Sequence, residues 1–381
     1  MRRVETVIVG GGISGLACGR ALYQAGREFL LLTDRLGGRM HASVDGLNYG
    51  AAYVTRDYKH VLQFVDKLAE NRMRDVYFWD GRRMINVFHP SNLARAAAFA
   101  RLYRLLIPFR EHVNRLRRRT PDTCQKALLE QDPLLERYVR LSAEELIAEQ
   151  GLEELTEIFV GPLLFSTLFL TYQEVNAFFY LAIMFPSLIT AYTVDVRNAV
   201  RRLTAGWRDR IMMQKATAID GFENKERFEI KAGDELYSAR NLVLAVPGHN
   251  LEGLAPVECT AKQVPYCTLH VRGTRRSHYM PGKTVFLREE HPVRVLWHQP
   301  GDADVIFSGS TGPDLSEYYE HYEITGTVAW KTACQISTDT WRPLMPRENL
   351  FTIGDHNILG LEDSYLTGLF AANRIARTTP G

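Results

Sequence analysis

The sequence predicts an α/β fold: a βαβ unit opens the chain, and an α+β region is interleaved with it further on. Three observations lead there. Val4 to Val9 is a largely β-branched apolar run that stops at Gly10, the pattern of a buried parallel strand. Ile13 to Gln24 has helical spacing, closes at Gly26 and gives way to a second apolar strand, Phe29 to Leu32. After a helix-rich middle, strand patterns return, and the last distinct unit is a strand, a loop and a helix.

In chain order, Asp57 to Ala69 places Val61, Leu62, Phe64, Val65 and Leu68 at roughly helical spacing, which predicts a helix. Beyond the turn signal Trp79-Asp80-Gly81 lies an Arg-rich stretch, 95–119. There Arg95, Arg101, Arg104, Arg110, Arg115, Arg117, Arg118 and Arg119 accompany Leu102, Leu105, Leu106, Ile107 and Phe109. Pro108 is expected to kink or divide it. Its arginines read either as a solvated helix face or as a contact with a membrane surface or an acidic partner. Ser142 to Gln150, Leu152 to Phe159 and Glu174 to Phe185 look helical. Val175 to Val194 carries no charge and has about the length of a membrane span, but Asn176, Pro186, Ser187, Thr190 and Thr193 interrupt it. It is read as a buried helix and connection. Strands are expected over Arg227 to Lys231, over Asn241 to Val246 and within Cys267 to Ser308, then over Leu350 to Ile353 before a helix from Leu361 to about Arg377.

Bulk properties bound the function. With 381 residues and 43.4 kDa the chain exceeds what one hydrophobic core serves, so two domains with a cleft between them are expected. Hydrophobic content of 46%, charged content of 24% and a mean hydropathy of -0.19 describe an ordinary soluble protein. The net charge of +2 implies no nucleic-acid partner. The 5 cysteines, Cys18, Cys124, Cys259, Cys267 and Cys334, are scattered and form no CxxC pair, so no zinc site, other metal site or disulfide framework is expected. Met1-Arg2-Arg3 runs straight into the first strand without a secretory signal, and a cytoplasmic location is expected.

Gly10-Gly11-Gly12-Ile13-Ser14-Gly15 is GxGxxG set between strand and helix, the context in which it binds a dinucleotide. Gly10 permits the tight turn, Gly12 lets the backbone approach a pyrophosphate and Gly15 lets helix pack on strand. The helix start at Ile13 offers free N–H groups, and Ser14 adds a hydroxyl. After the second strand come Thr33-Asp34-Arg35-Leu36-Gly37-Gly38-Arg39-Met40. This stretch resembles the GGR signature of the superfamily of FAD-dependent amine oxidases, protoporphyrinogen oxidases and phytoene desaturases. The resemblance implies FAD as cofactor, held by a Rossmann-like domain with an interleaved α+β substrate domain. It places Gly37, Gly38 and Arg39 beside the pyrophosphate and flavin, where a guanidinium fork suits phosphate.

The likeness continues. Gly50-Ala51-Ala52-Tyr53-Val54 resembles the segment whose backbone passes the flavin, with Ala51 and Ala52 at the cofactor and Tyr53 as a cavity residue. Ala205-Gly206-Trp207 stands at the family's Gly-rich step, which makes Trp207 a further cavity candidate, and Lys215 to Ile219 resembles the strand that meets adenine, at Ala216. Asn241 to Pro247 resembles the strand ending in Ala-x-Pro. Ile353-Gly354-Asp355 followed by Gly360-Leu361-Glu362-Asp363-Ser364 resembles the C-terminal FAD motif. There Gly354 and Asp355 would meet ribityl or ribose hydroxyls, and the Leu361 N–H would point at the flavin pyrimidine carbonyl. The implied domain plan is an FAD-binding domain in three parts, 1–85, 201–255 and 345–381. A substrate domain is helix-rich in 86–200 and strand-rich in 256–344.

Three positions depart from the family. Thr33 stands where a Glu grips the adenosine ribose, so either Asp34 or the Thr33 hydroxyl must serve; a neutral bond there forfeits about 1–2 kcal/mol, roughly tenfold in affinity. The strand near Tyr266 to His270 has no lysine to hold a water at the flavin, and Gly360 replaces an aromatic. Both count against amine oxidation. His270, His278, His298, His321 and His356 are acid–base candidates, His356 first because it adjoins Asp355, and Tyr318, Tyr319 and Tyr322 could wall a pocket. The expected function is an oxidoreductase taking hydride from a C–N or C–C position of a mainly hydrophobic small molecule. The alternatives are a redox-neutral flavin-dependent isomerase or mutase, and a non-enzymatic binder of the GDP-dissociation-inhibitor type.

Overall fold

The computed structural model describes residues 1–50, 53–223, 226–257, 261–337 and 341–378. Arg2–Val9 is the central strand of a seven-stranded sheet, parallel to Phe29–Leu32 on one side and to Glu235–Leu244 on the other. Ile211–Met212 extends the sheet beyond Phe29–Leu32. On its other edge Glu235–Leu244 is long enough for two partners: its first half pairs antiparallel with Phe228–Ala232, its last residues parallel with Leu350–Thr352. The parallel strands therefore end together at Gly10, Thr33, Ala245 and Ile353, the edge at which open α/β sheets bind ligands. The helices Ile13–Gln24 and Leu361–Arg377 pack against each other, and Leu16, Leu31, Val243, Phe351 and Phe370 are buried together there.

A second seven-stranded sheet runs in the order 319–336, 262–275, 303–308, 293–299, 284–286, 76–79, 84–85. The stretch 1–85 thus supplies strands to both large sheets. Helices from 96 to 188 cover the second sheet, their apolar side chains sharing one core with Phe78, Phe286, Trp297 and Phe307. A small third sheet joins Tyr53–Thr55, Ala191–Asp195 and Asp66–Asn71.

Several expectations need correction. Where a helix was expected over 57–69 there is one 3-10 turn, Val61–Gln63, and then the strand Asp66–Asn71. Helical spacing there reflects burial of Val61, Phe64 and Val65 in the first core, while Leu68 lies exposed on the strand. Pro108 does not divide its helix: Ala96–Arg119 is continuous, because Leu102, Leu106, Phe109 and Val113 bury one face and outweigh the roughly 3 kcal/mol that an interior proline costs. The uncharged stretch 175–194 splits into the helices Ala177–Ala182 and Phe185–Leu188 and the start of a strand. Among the described residues no helix is long and apolar enough to cross a membrane. An 18-residue strand, Tyr319–Ile336, follows the strands found within Cys267 to Ser308.

Candidate active site

A cavity of about 710 Å³ lies between the carboxyl ends of the parallel strands and the second sheet. Gly10, Gly12, Ile13, Ser14, Thr33, Asp34, Gly37, Gly38 and Arg39 line one pole, together with Gly354, Asp355, Gly360 and Leu361 from the C-terminal segment. The two glycine loops are held side by side, with Gly37 N donating to Gly11 O at 2.8 Å. Gly10 has φ +115 and a Cβ there would sit 2.4 Å from Ala245 O, so the turn requires glycine. At Gly12 a Cβ would meet no protein atom within 4 Å, which leaves the cradle open to a pyrophosphate. Residues and space fit FAD.

Arg39 joins the two ends of the chain. Its guanidinium lies 2.7 Å from Asp355 Oδ2 and donates to Ala333 O at 2.8 Å. Gln335 Nε2 donates to the other Asp355 oxygen at 2.8 Å, while its own carbonyl accepts from Gly248 N. Burial alone would raise the Asp355 carboxyl, but Arg39, His356 and Gln335 hold it below the usual carboxylate range. Thr33 resolves the question left open at the second strand. Its hydroxyl accepts from Gly11 N and Arg35 N and donates to Arg35 O, so it closes the loop. Asp34, exposed on the cavity wall, is the available carboxylate.

Leu361 starts the helix Leu361–Arg377 behind Gly360, whose φ of +141 excludes an aromatic side chain without strain. The space is already taken, because a Cβ on Gly360 would lie 2.8 Å from the Tyr58 hydroxyl. Two acidic residues follow, and both are compensated. Glu362 accepts from His60 N, Val61 N and His60 Nδ1. Asp363, fully buried, accepts from Arg117 Nε at 3.0 Å and Nη2 at 2.7 Å, and the Arg117 guanidinium sits over the Tyr58 ring at 5.2 Å. Burial pushes the Asp363 carboxyl up against the opposing pull of Arg117. Tyr58 and Arg117 both line the cavity and were missed in the sequence. A signal existed for Arg117: it continues the apolar series Leu102, Leu106, Phe109, Val113 at helical spacing.

Beyond this pole the cavity becomes apolar, walled by Phe178, Phe179, Ile183, Phe185, Trp297 and Phe307. Tyr53 lines it beside Trp297, ring centroids 5.4 Å apart, and Tyr266 lines it stacked on Phe169. A small side chamber shares Tyr53, Thr167, Ile183 and Trp297 with the main cavity and continues to Asn71, Met73 and Val76.

Other sequence candidates lie elsewhere. Trp207 is 0% exposed, packs edge-on against Phe29 and donates Nε1 to Leu203 O; it is core, seated so close over Gly19 that a Cβ there would lie 2.8 Å from the indole. Ala216 lies on the outermost strand of the first sheet, and the strand beside Phe29–Leu32 is Ile211–Met212, whose Met212 O accepts from Thr33 N. His356 is buried behind Asp355 and does not line the cavity, and burial lowers its pKa to about 4. Gly15 packs against Gly10 as expected, a Cβ there falling 2.0 Å from Gly10 O. His270, His278, His298 and His321 are not at the cavity, whereas His249 is. Tyr318 and Tyr319 belong to a separate core and Tyr322 is exposed on a strand. Ala51 and Ala52 fall outside the described residues.

Comparisons with known proteins agree with this arrangement. The family model for flavin containing amine oxidoreductase matches residues 13–331. A search of curated proteins finds no match. Among solved structures, a triple mutant of putrescine oxidase superposes with a TM-score of 0.71 at 15% identity, covering 99% of this chain and 99% of the other. The CLA-producing fatty acid isomerase from P. acnes gives 0.71 at 16% identity, covering 97% and 98%. Cyclohexylamine oxidase from Brevibacterium oxydans IH-35A gives 0.67 at 15%, covering 98% of each. At such identities these likenesses establish the fold. With most of its length matched by the family model and its paired glycine loops closing on the Arg39–Asp355 contact, this chain belongs to the flavin-containing amine oxidoreductase family, whose cofactor here is FAD.

Proposed function

We propose that the protein removes a hydride from a C–N or C–C position of a mainly hydrophobic small molecule, with oxygen or another acceptor taking the electrons onward. The supporting observation is the aromatic-walled arm that opens directly from the cofactor pole. Bound FAD supplies the hydride acceptor. The chain supplies the rest. Phe178, Phe179, Trp297 and Phe307 exclude water and hold an apolar substrate in one orientation. Arg39 and Asp355 tie the two cofactor-binding segments together. The N-terminal amides of the Leu361–Arg377 helix, at the cavity wall, would favour negative charge on a flavin held there by roughly 0.3–2 kcal/mol. Within the stretch Tyr266 to His270, which has no lysine, Tyr266 lines the wall.

The test begins with the absorbance spectrum of the purified protein. A yellow preparation that bleaches on anaerobic mixing with an apolar amine or alkene supports the proposal. Product formed only after prior reduction of the flavin would replace it with a redox-neutral isomerase. A colourless protein that cannot be reconstituted with FAD would point to a binding protein instead.

A further inference from the structure

The Arg-rich helix divides its arginines by task. Four are used inside the molecule: Arg95 pairs with Glu154, Arg101 donates to the carbonyls of Gln150 and Gly151, Arg110 grips Asp57 and Arg117 grips Asp363. The other four, Arg104, Arg115, Arg118 and Arg119, are exposed and make no ion pair among the described residues. On the outward face Ala100, Arg104, Ile107, Glu111, Arg115 and Arg118 follow at steps of three and four, so Glu111 alone opposes three positive charges there, with Arg119 beside them. The N-terminal end of this stripe is apolar. Leu93, on the 3-10 turn that leads into the helix, is 80% exposed, Phe88 just before it 70%, and Ile107 within the stripe 52%.

We propose that Phe88, Leu93, Ile107 and the four free arginines form a docking surface for an anionic lipid bilayer. Long cationic side chains along one helix, with bulky apolar groups beside them, suit a headgroup layer: the arginines meet lipid phosphates and the apolar groups enter the acyl boundary. The position relative to the cavity supports the same partner. Phe88 N donates to Asn86 Oδ1, Asn86 Nδ2 reaches Arg74 O, and the preceding residue, Met73, lines the side chamber. The apolar tip is thus linked through Asn86 to the wall of the side chamber, the side from which a membrane-dissolved substrate would enter. Only this last point rests on the hydrophobic substrate proposed above.

The experiment is sedimentation of the FAD-loaded full chain with phosphatidylserine-containing vesicles and with pure phosphatidylcholine vesicles, at low and high salt. Binding is expected to the anionic vesicles at low salt and to weaken as salt screens it. F88S/L93S is expected to lose about tenfold in partitioning per side chain. R104E/R115E should abolish sedimentation, and both variants should keep the wild-type flavin spectrum, since neither pair lines the cavity. No sedimentation with anionic vesicles at low salt would overturn the proposal. So would equal binding by all three proteins, or a dimer that F88S/L93S dissociates in the absence of vesicle binding. Vesicle binding is read without turnover, so its failure leaves the hydride-transfer reading standing, and the reverse holds too.

Discussion

Replacing Arg117 with methionine leaves a carboxylate stranded. Asp363 is fully buried, and both of its oxygens are held by the guanidinium at 3.0 Å and 2.7 Å. Removing one partner of such a pair costs about 3–5 kcal/mol, whereas replacing both with apolar groups of similar size is often neutral or stabilising. R117M should therefore unfold at much lower urea than wild type at neutral pH, and R117M/D363L should recover most of the loss. The pH dependence has a defined sign. Burial already pushes the Asp363 carboxyl up, and without Arg117 it rises further. A carboxyl whose folded value lies above the unfolded one costs nothing in acid and costs most after it ionises. The R117M penalty should thus shrink as pH falls toward the ordinary aspartate range, by at most about 1.4 kcal/mol per pH unit. Urea midpoints of single and double variants at neutral and mildly acidic pH measure this. If R117M stays within about 1 kcal/mol of wild type, or the double variant loses as much as the single, the buried pair does not have the role given to it here.

Three further outcomes are expected. Asp355→Ala removes the partner of both Arg39 and Gln335 and should lower FAD occupancy after purification; full retention, read from the ratio of flavin to protein absorbance, would count against the C-terminal cofactor segment. Asp34→Ala should weaken FAD binding about tenfold in a fluorescence titration, because Asp34 is the carboxylate left to meet the ribose once Thr33 is engaged in its own loop. Burial lowers His356 from 6.5 to about 4, so it contributes stability that is complete above 6.5 and is lost as pH falls toward 4. His356→Gln should flatten the urea-midpoint profile across that window, and an unchanged slope would show that another group governs it.

The cofactor pole was legible because its signals are local. GxGxxG, the Gly38-Arg39 pair and Gly354-Asp355 each sit in short strand-to-loop units whose geometry depends on neighbours in sequence, and the structure brings them to one edge of one sheet. The substrate wall was less legible because it is tertiary. Tyr58 comes from a stretch whose helix-like spacing conceals a turn and a strand, and it reaches Gly360 only when the ends of the chain meet. Arg117 resembled its surface neighbours in composition, and only its place in the buried series set it apart. The strand Tyr319–Ile336 gave a weak pattern since most of its first half is exposed at the sheet edge, with Glu320, His321, Tyr322 and Glu323 in succession. Trp207 followed a family-like glycine step, but the motif fixes a backbone turn and does not determine which way the ring turns.

The strand Leu350–Thr352 carries a consequence for biosynthesis. It docks beside Leu242 to Leu244, and the residues immediately after it complete the cradle begun by Gly10 to Gly15. A polypeptide still emerging from the ribosome can pair its early strands but has no closed nucleotide pocket until this late segment arrives. Loading with flavin therefore waits for chains that extend past this strand, and a nascent chain interrupted before it would hold its first glycine loop with nothing to press against it.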